Sequence, residues 1–190
     1  MRRNVFLKYR FRKRNRTDFE TRFGADSKKY SGVKLMETFF RFNDLAGSKE
    51  KLNGLTHYAV KSDRWIKEDP SVLFQFHQAM RSFVRAGYLI SIREKKQDFN
   101  IRLENAVPWL PGLLSEKEYR NPLQVFKKAF KEYNVEEFDC FMSGVVYFSM
   151  GIYDRVPESN MIGPYMHLTK MLDAAHLILE RRVEKILTTA

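Results

Sequence analysis

Apolar and polar residues alternate most regularly between Asp69 and Gly87, with the period of an α-helix. The apolar positions are Leu73, Phe76, Met80, Phe83 and Gly87. Asp69 can accept hydrogen bonds from the free N–H groups of a first turn, and Pro70 suits the first helical position. Glycine favours a left-handed helix end, so the pattern predicts a helix that begins after Asp69 and ends at Gly87.

After Gly87 the pattern changes to a period of two. Apolar and polar side chains alternate in residues 90–93 and again in residues 99–104, on either side of a short charged tip. Two such runs predict a β-hairpin. A helix followed by a basic-tipped hairpin resembles the last helix and wing of a winged-helix domain. This resemblance implies a helix in the major groove of DNA and a wing on the DNA backbone.

The polar side of the same predicted helix carries side chains that are suited to nucleic acid. They are His77, Gln78, Arg81, Ser82 and Arg85, at offsets that place them on one side. The predicted hairpin tip adds Lys95 and Lys96. We expect His77, Gln78, Arg81 and Arg85, together with the tip lysines, to orient or read nucleic acid. The alternative is a solvated outer face on a helix that packs against a two-stranded ribbon.

Helical spacing of apolar residues predicts further helices elsewhere in the chain. One is capped by Ser31 and ends at Gly47, and the next begins at Ser48. Ser115 and Glu118 have the spacing of a capping box. The last three predicted helices cover residues 122–133, 136–150 and 164–188. The apolar stripe of the last of these predicts either a core helix or the seam of a homodimer.

These elements predict a mainly α protein, a helical bundle with one β-hairpin. The predicted organisation is a basic arm and connector over residues 1–32, a domain over 33–105 and a C-terminal helical subdomain over 106–190. The 33–105 segment is the part that would be winged-helix-like. A helical bundle with an inserted hairpin is the alternative.

Positive charge is concentrated at the amino end. Of 34 basic and 23 acidic residues, eight bases and no acid lie in residues 1–16, so these supply +8 of the net charge of +11. The eight are Arg2, Arg3, Lys8, Arg10, Arg12, Lys13, Arg14 and Arg16. Such an arm neutralises phosphates and releases counterions. A solubilising tail, an organelle transit segment and an edge strand are the alternatives.

Composition argues against several classes of protein. A single cysteine, Cys140, rules out an internal disulfide and a cysteine metal cluster. There is no apolar run of the roughly 20 residues that a membrane span needs, and no secretory leader. We therefore expect a cytoplasmic protein without a membrane association. Phosphate loops, dinucleotide fingerprints and nucleophile elbows are also missing from the sequence, so no cofactor is expected.

One row of side chains is suited to a metal ion. Asp173, His176 and Glu180 share one side of the last predicted helix, and further carboxylates at Glu136, Glu137 and Asp139 are available. This row would suit a metal-dependent hydrolase. It is a weaker expectation than a non-enzymatic role, because long helices carry such rows by chance.

The sequence thus predicts a nucleic-acid-binding protein, for DNA or RNA, that uses the basic arm, the polar helix side and the hairpin tip. The alternative is a helical interaction subunit of a larger protein or ribonucleoprotein assembly, whose arm would meet an acidic partner or RNA.

Overall fold

The computed structural model describes residues 31–61, 66–93, 112–151 and 160–189, with the side chains of 31–61, 66–92, 112–151 and 160–182. The described residues belong to one compact unit and form seven helices. These are α1 (Gly32–Phe42), α2 (Leu45–Val60), α3 (Pro70–Arg93), α4 (Glu116–Arg120), α5 (Leu123–Glu132), α6 (Val135–Ser149) and α7 (Ile162–Thr189). The prediction of a mainly helical bundle is confirmed.

Helix α3 lies at the centre of the bundle, because α1, α5 and α6 all pack along it. Helix α2 packs on α6, and α7 packs on α2 and α5. The core contains fully buried side chains from four helices: Phe83, Phe126, Phe138 and Met171. Among the described helices, none is both long enough and apolar enough to cross a bilayer.

Local signals placed most helix starts correctly. Ser31 Oγ accepts the Lys34 N–H at 3.1 Å, and Asp69 Oδ1 accepts the Ser71 N–H at 2.7 Å. The predicted capping box at the start of α4 is present. The predicted helix end at Gly47 is wrong. Asp44 accepts the Gly47 N–H at 2.6 Å and caps α2, so the break comes before Gly47.

The predicted first strand of the hairpin is wrong, because α3 continues through Gly87 to Arg93. Ile90 is 1% exposed on this helix and faces α1. The structure shows no β-strand in the described residues, so these residues do not support the winged-helix prediction. The second run, residues 99–104, and the tip residues Lys95 and Lys96 lie outside the described part.

Gly87 has a different role from the predicted one. In the described part, positive φ occurs only at Gly112 and Gly151. A Cβ on Gly87 would lie 3.0 Å from Phe126 Cδ1 and 3.3 Å from Phe130 Cε2. The missing side chain therefore allows α3 and α5 to approach each other closely, and it does not end the helix.

Helices from both predicted halves, 33–105 and 106–190, share this core, since α3 packs against α5 and α6. Shared packing does not test whether either half folds alone. The predicted division of the chain into an arm, a domain and a subdomain therefore stays a prediction.

Candidate functional site

The polar side of α3 lies against α6, where its two arginines meet one carboxylate. Arg81 Nη2 donates to Asp139 Oδ2 at 3.1 Å, and Arg85 Nη2 donates to the same oxygen at 2.9 Å. The side chain of Arg81 is 34% exposed and that of Arg85 is 13% exposed. The Arg85 side chain is therefore mostly enclosed between α3 and α6, and the Arg81 side chain is partly open to solvent.

This ionic cluster is not saturated with hydrogen bonds. Asp139 Oδ1 and Arg81 Nε are both enclosed, and neither has a hydrogen-bond partner among the described residues. Burial lowers the pKa of Arg85, although Asp139 and Glu136 oppose this shift. Two guanidinium groups thus share one oxygen of one carboxylate, with Glu136 as a further acid nearby.

One turn away, His77 and Ser143 form the next contact between α3 and α6. Ser143 Oγ lies 3.3 Å from His77 Nε2. Burial lowers the pKa of His77, and the charge of Arg81 lowers it further against the opposing effect of Asp139. The imidazole is therefore neutral at pH 7 and can accept a hydrogen bond from the Ser143 hydroxyl.

Two exposed aromatic rings stand at the end of this row. Phe74 is 60% exposed and lies one turn before His77, with the two ring centroids 6.4 Å apart. Tyr147 is 48% exposed and lies one turn after Ser143. We call the set the α3–α6 rim. It consists of Phe74, His77 and Arg81 on α3, and Asp139, Ser143 and Tyr147 on α6.

The remaining predicted nucleic-acid residues are less constrained or not described. Gln78 is exposed on α3 beside the rim. The eight arm cations, Arg2, Arg3, Lys8, Arg10, Arg12, Lys13, Arg14 and Arg16, lie outside the described residues, as do Lys95 and Lys96. The structure thus brings His77, Arg81 and Arg85 together and leaves the arm as a prediction.

The predicted metal row does not converge. Asp173 is buried, and its carboxylate accepts from Lys49 Nζ at 2.8 Å and from the Leu113 N–H at 3.2 Å. His176 packs edge-on against Phe40, and its Nδ1 lies 3.4 Å from Glu180 Oε1. No three His, Cys, Asp or Glu side chains in the described part are grouped to hold a metal ion.

Sequence reasoning missed a second ionic cluster, which we call the Glu118 clamp: Ser115, Glu118, Lys128 and Lys170. Glu118 Oε1 accepts from Lys128 Nζ and Oε2 from Lys170 Nζ, each at 2.9 Å. Burial raises the pKa of Glu118, but hydrogen bonds from the Ser115 N–H, Lys170 and Lys128 outweigh it and hold the value at about 2. The capping box signalled Glu118, but nothing in the sequence signalled Lys170.

Helix α5 exposes lysines that neutralise no acid in the described part. Lys127 and Lys131 are four residues apart on its outer side, and neither is ion-paired there. Lys128, beside them, binds Glu118. Lys127 and Lys131 therefore place positive charge on the helical bundle, in addition to the charge of the predicted N-terminal arm.

Searches of protein-family models, of curated proteins and of solved structures find no match to this chain. The functional assignment therefore depends on the residues and the geometry alone.

Proposed function

We propose that this protein binds nucleic acid without catalysing a reaction, and that the N-terminal arm supplies most of the affinity. The observation that carries this proposal is the charge distribution. Residues 1–16 hold eight bases and no acid, whereas the rest of the chain is nearly balanced. Clustered arginine and lysine bind polyphosphate backbones independently of sequence.

Seven basic side chains in the described part of the body are bound to acids, which supports this division of roles. The pairs are Lys49–Asp173, Arg81–Asp139, Arg85–Asp139, Lys128–Glu118, Lys170–Glu118, Arg120–Glu116 and Arg182–Glu37. Paired charges largely cancel, so they leave little net electrostatic field at the surface around them. Lys127 and Lys131 are among the basic side chains that have no such pair in the described part, and we expect them to add a weaker contact to phosphates.

Helix α3 cannot serve as a recognition helix in this proposal. A recognition helix needs one long side clear of its own protein so that it can enter a major groove about 12 Å wide. Helices α1, α5 and α6 cover α3, and Arg85 is bound to Asp139 within that packing. The proposed contact is therefore to the backbone and to accessible bases at the rim of the bundle, without a helix in a groove.

The test measures binding of a fluorescently labelled single-stranded oligonucleotide by anisotropy between 50 and 300 mM salt. Neutralisation of phosphates by all eight arm cations predicts a slope of log K against log salt of about −6. We expect deletion of residues 1–16 to lower the magnitude of that slope to about 1 and the affinity at least a hundredfold. The matched control, Lys127→Gln with Lys131→Gln, should change the slope by about 1. Binding by the full chain that is insensitive to salt would falsify the proposal.

A second candidate, an interaction subunit of a larger assembly, is favoured by two exposed apolar side chains. Phe42 is 80% exposed at the end of α1, and Ile162 is 73% exposed at the start of α7. If this candidate is correct, the purified protein will carry no nucleic acid and will self-associate. Replacement of Phe42 and Ile162 by serine should then restore a monomer in size-exclusion chromatography with light scattering.

A further inference from the structure

We propose that the α3–α6 rim is a binding site for unpaired nucleotides. In this site a base stacks on Phe74 and Tyr147 while its phosphate meets Arg81. The inference depends on the proposed function and deepens it, because it assigns a preference for single strands to a place on the helical body.

The antiparallel pairing of α3 and α6 sets the order of side chains along the rim. His77 meets Ser143, and Arg81 meets Asp139 one turn further along α3 and one turn back along α6. Phe74 lies three residues before His77, and Tyr147 lies four residues after Ser143. Helical spacing therefore brings the two rings to the same end and the same side of the helix pair.

The exposure of the rings is what suggests a ligand. Phe74 keeps 60% of its surface in solvent and Tyr147 keeps 48%, although both flank the contact between the two helices. Exposed aromatic rings on a surface that also carries cations are a recurring platform for unpaired bases. Every base offers a π-face, so such a platform binds single strands with little dependence on sequence.

The charge of Arg81, about two turns along α3 from Phe74, suits a phosphate. Asp139 engages Nη2 of Arg81, and the Arg81 side chain remains 34% exposed. The acids of α6, Glu136 and Glu137, lie in its first turn, at the opposite end from Tyr147. A nucleotide on the rings would therefore approach Arg81 from the side away from those acids. His77 is neutral at pH 7, so it can donate or accept a hydrogen bond without adding charge.

The choice of single strands over duplexes follows from the geometry. In a duplex both faces of each base are stacked, so exposed rings gain nothing unless a base is unstacked. The arm, by contrast, neutralises phosphates of either form. The rim should therefore change the ratio of single-strand to duplex affinity, and the arm should change both affinities together.

The experiment compares the full chain with the double variant Phe74→Ala, Tyr147→Ala. The probes are a labelled 12-nucleotide oligo-dT and a labelled duplex of equal charge, bound at one salt concentration. We expect the double variant to lose about tenfold or more in oligo-dT affinity and less than twofold in duplex affinity. The matched control is Phe42→Ala, which removes another exposed phenylalanine, on α1 and not part of the rim, and should leave both affinities unchanged.

Three results separate the two proposals. If the full chain binds neither probe, the proposed function itself fails. If deletion of residues 1–16 weakens both probes but the double variant matches the parent, the function stands and the rim inference is overturned. Equal losses on both probes with an unchanged melting temperature also overturn it, because the rings would then not select single strands.

The double alanine variant could lose affinity because its fold is destabilised, so a second variant keeps an aromatic ring at position 74 and reports binding directly. Phe74→Trp enlarges the stacking surface and places a fluorophore on the rim. We expect oligo-dT to quench the additional tryptophan emission and to bind at least as tightly as to the parent. Emission that does not respond to saturating oligo-dT would count against stacking at this position.

Discussion

The Glu118 clamp and the α3–α6 rim each bind cations to one carboxylate, but the two carboxylates differ in their hydrogen bonding. Lys128 and Lys170 bind Glu118 in the clamp, whereas Asp139 of the rim binds Arg81 and also Arg85, which lies beside the rim. In the clamp both oxygens of Glu118 are occupied, one by Lys128 and one by Lys170, and the side chain is 4% exposed. In the rim both guanidiniums converge on Asp139 Oδ2, while Oδ1 has no partner among the described residues.

This difference separates a carboxylate with both oxygens bound from a carboxylate that keeps one enclosed oxygen without a partner among the described residues. Glu118 accepts hydrogen bonds on both oxygens, so it stabilises the fold. An enclosed polar atom without a partner is uncommon in folded proteins and calls for a specific explanation. The clamp fastens α4 to α5 and α7, whereas the rim contains a partly exposed arginine, Arg81, and two exposed aromatic rings, Phe74 and Tyr147.

The largest expected effect is the loss of the clamp. Glu118→Ala leaves Lys170 and Lys128 without their carboxylate and removes the Glu118 half of the capping box of α4, so we expect the free energy of unfolding to fall by about 3 to 4 kcal/mol at pH 7. Urea denaturation followed by circular dichroism measures this. The control is Glu116→Ala on the same helix, whose exposed pair with Arg120 should contribute about 0.5 kcal/mol. Equal effects of the two variants would contradict a structural role for the clamp.

The pH dependence of stability gives the next effect. The pKa of Glu118 is depressed from an ordinary 4.5 to about 2 in the folded protein. Its contribution is therefore complete above about pH 5 and is lost as the pH falls from 4.5 to 2, amounting to about 3 kcal/mol. We expect Glu118→Gln to remove this part of the profile. Denaturation curves for both proteins between pH 2 and 7 test it, and parallel profiles would be inconsistent with a depressed pKa.

The smallest expected effect concerns the rim. Asp139→Asn keeps the shape of the side chain and removes its charge. We expect a loss of about 1 to 2 kcal/mol of stability, because the amide oxygen can still accept from the more buried Arg85 while Arg81 can turn to water. The same change should raise the affinity for oligo-dT about threefold, because Arg81 no longer shares its charge with a carboxylate. Fluorescence anisotropy measures the oligo-dT affinity of this variant. The comparison is with Glu118→Gln, which should leave that affinity unchanged. A fall in affinity would argue that Asp139 positions Arg81 for the ligand.

Much of the helical framework followed from residues within a few positions of one another. Ser31, Asp69 and the Ser115–Glu118 box were identified as caps, and each makes the expected hydrogen bond. The predicted first strand of the hairpin was wrong for a related reason. Residues 90–93 form a run of only four, which is too short for a period of two to exclude a helix. A glycine such as Gly87 can end a helix or allow a second helix to approach closely, and the sequence around it is compatible with both roles.

The sequence by itself determined the positions of the caps, the apolar stripes and the concentration of positive charge in residues 1–16, because each depends on neighbours along the chain. Only the tertiary structure decided that Arg81 and Arg85 meet Asp139 and that Glu118 meets Lys170. These partners are separated by 58, 54 and 52 residues. A hydrogen bond requires about 3 Å between two atoms, and over such separations that distance is set by how the helices pack.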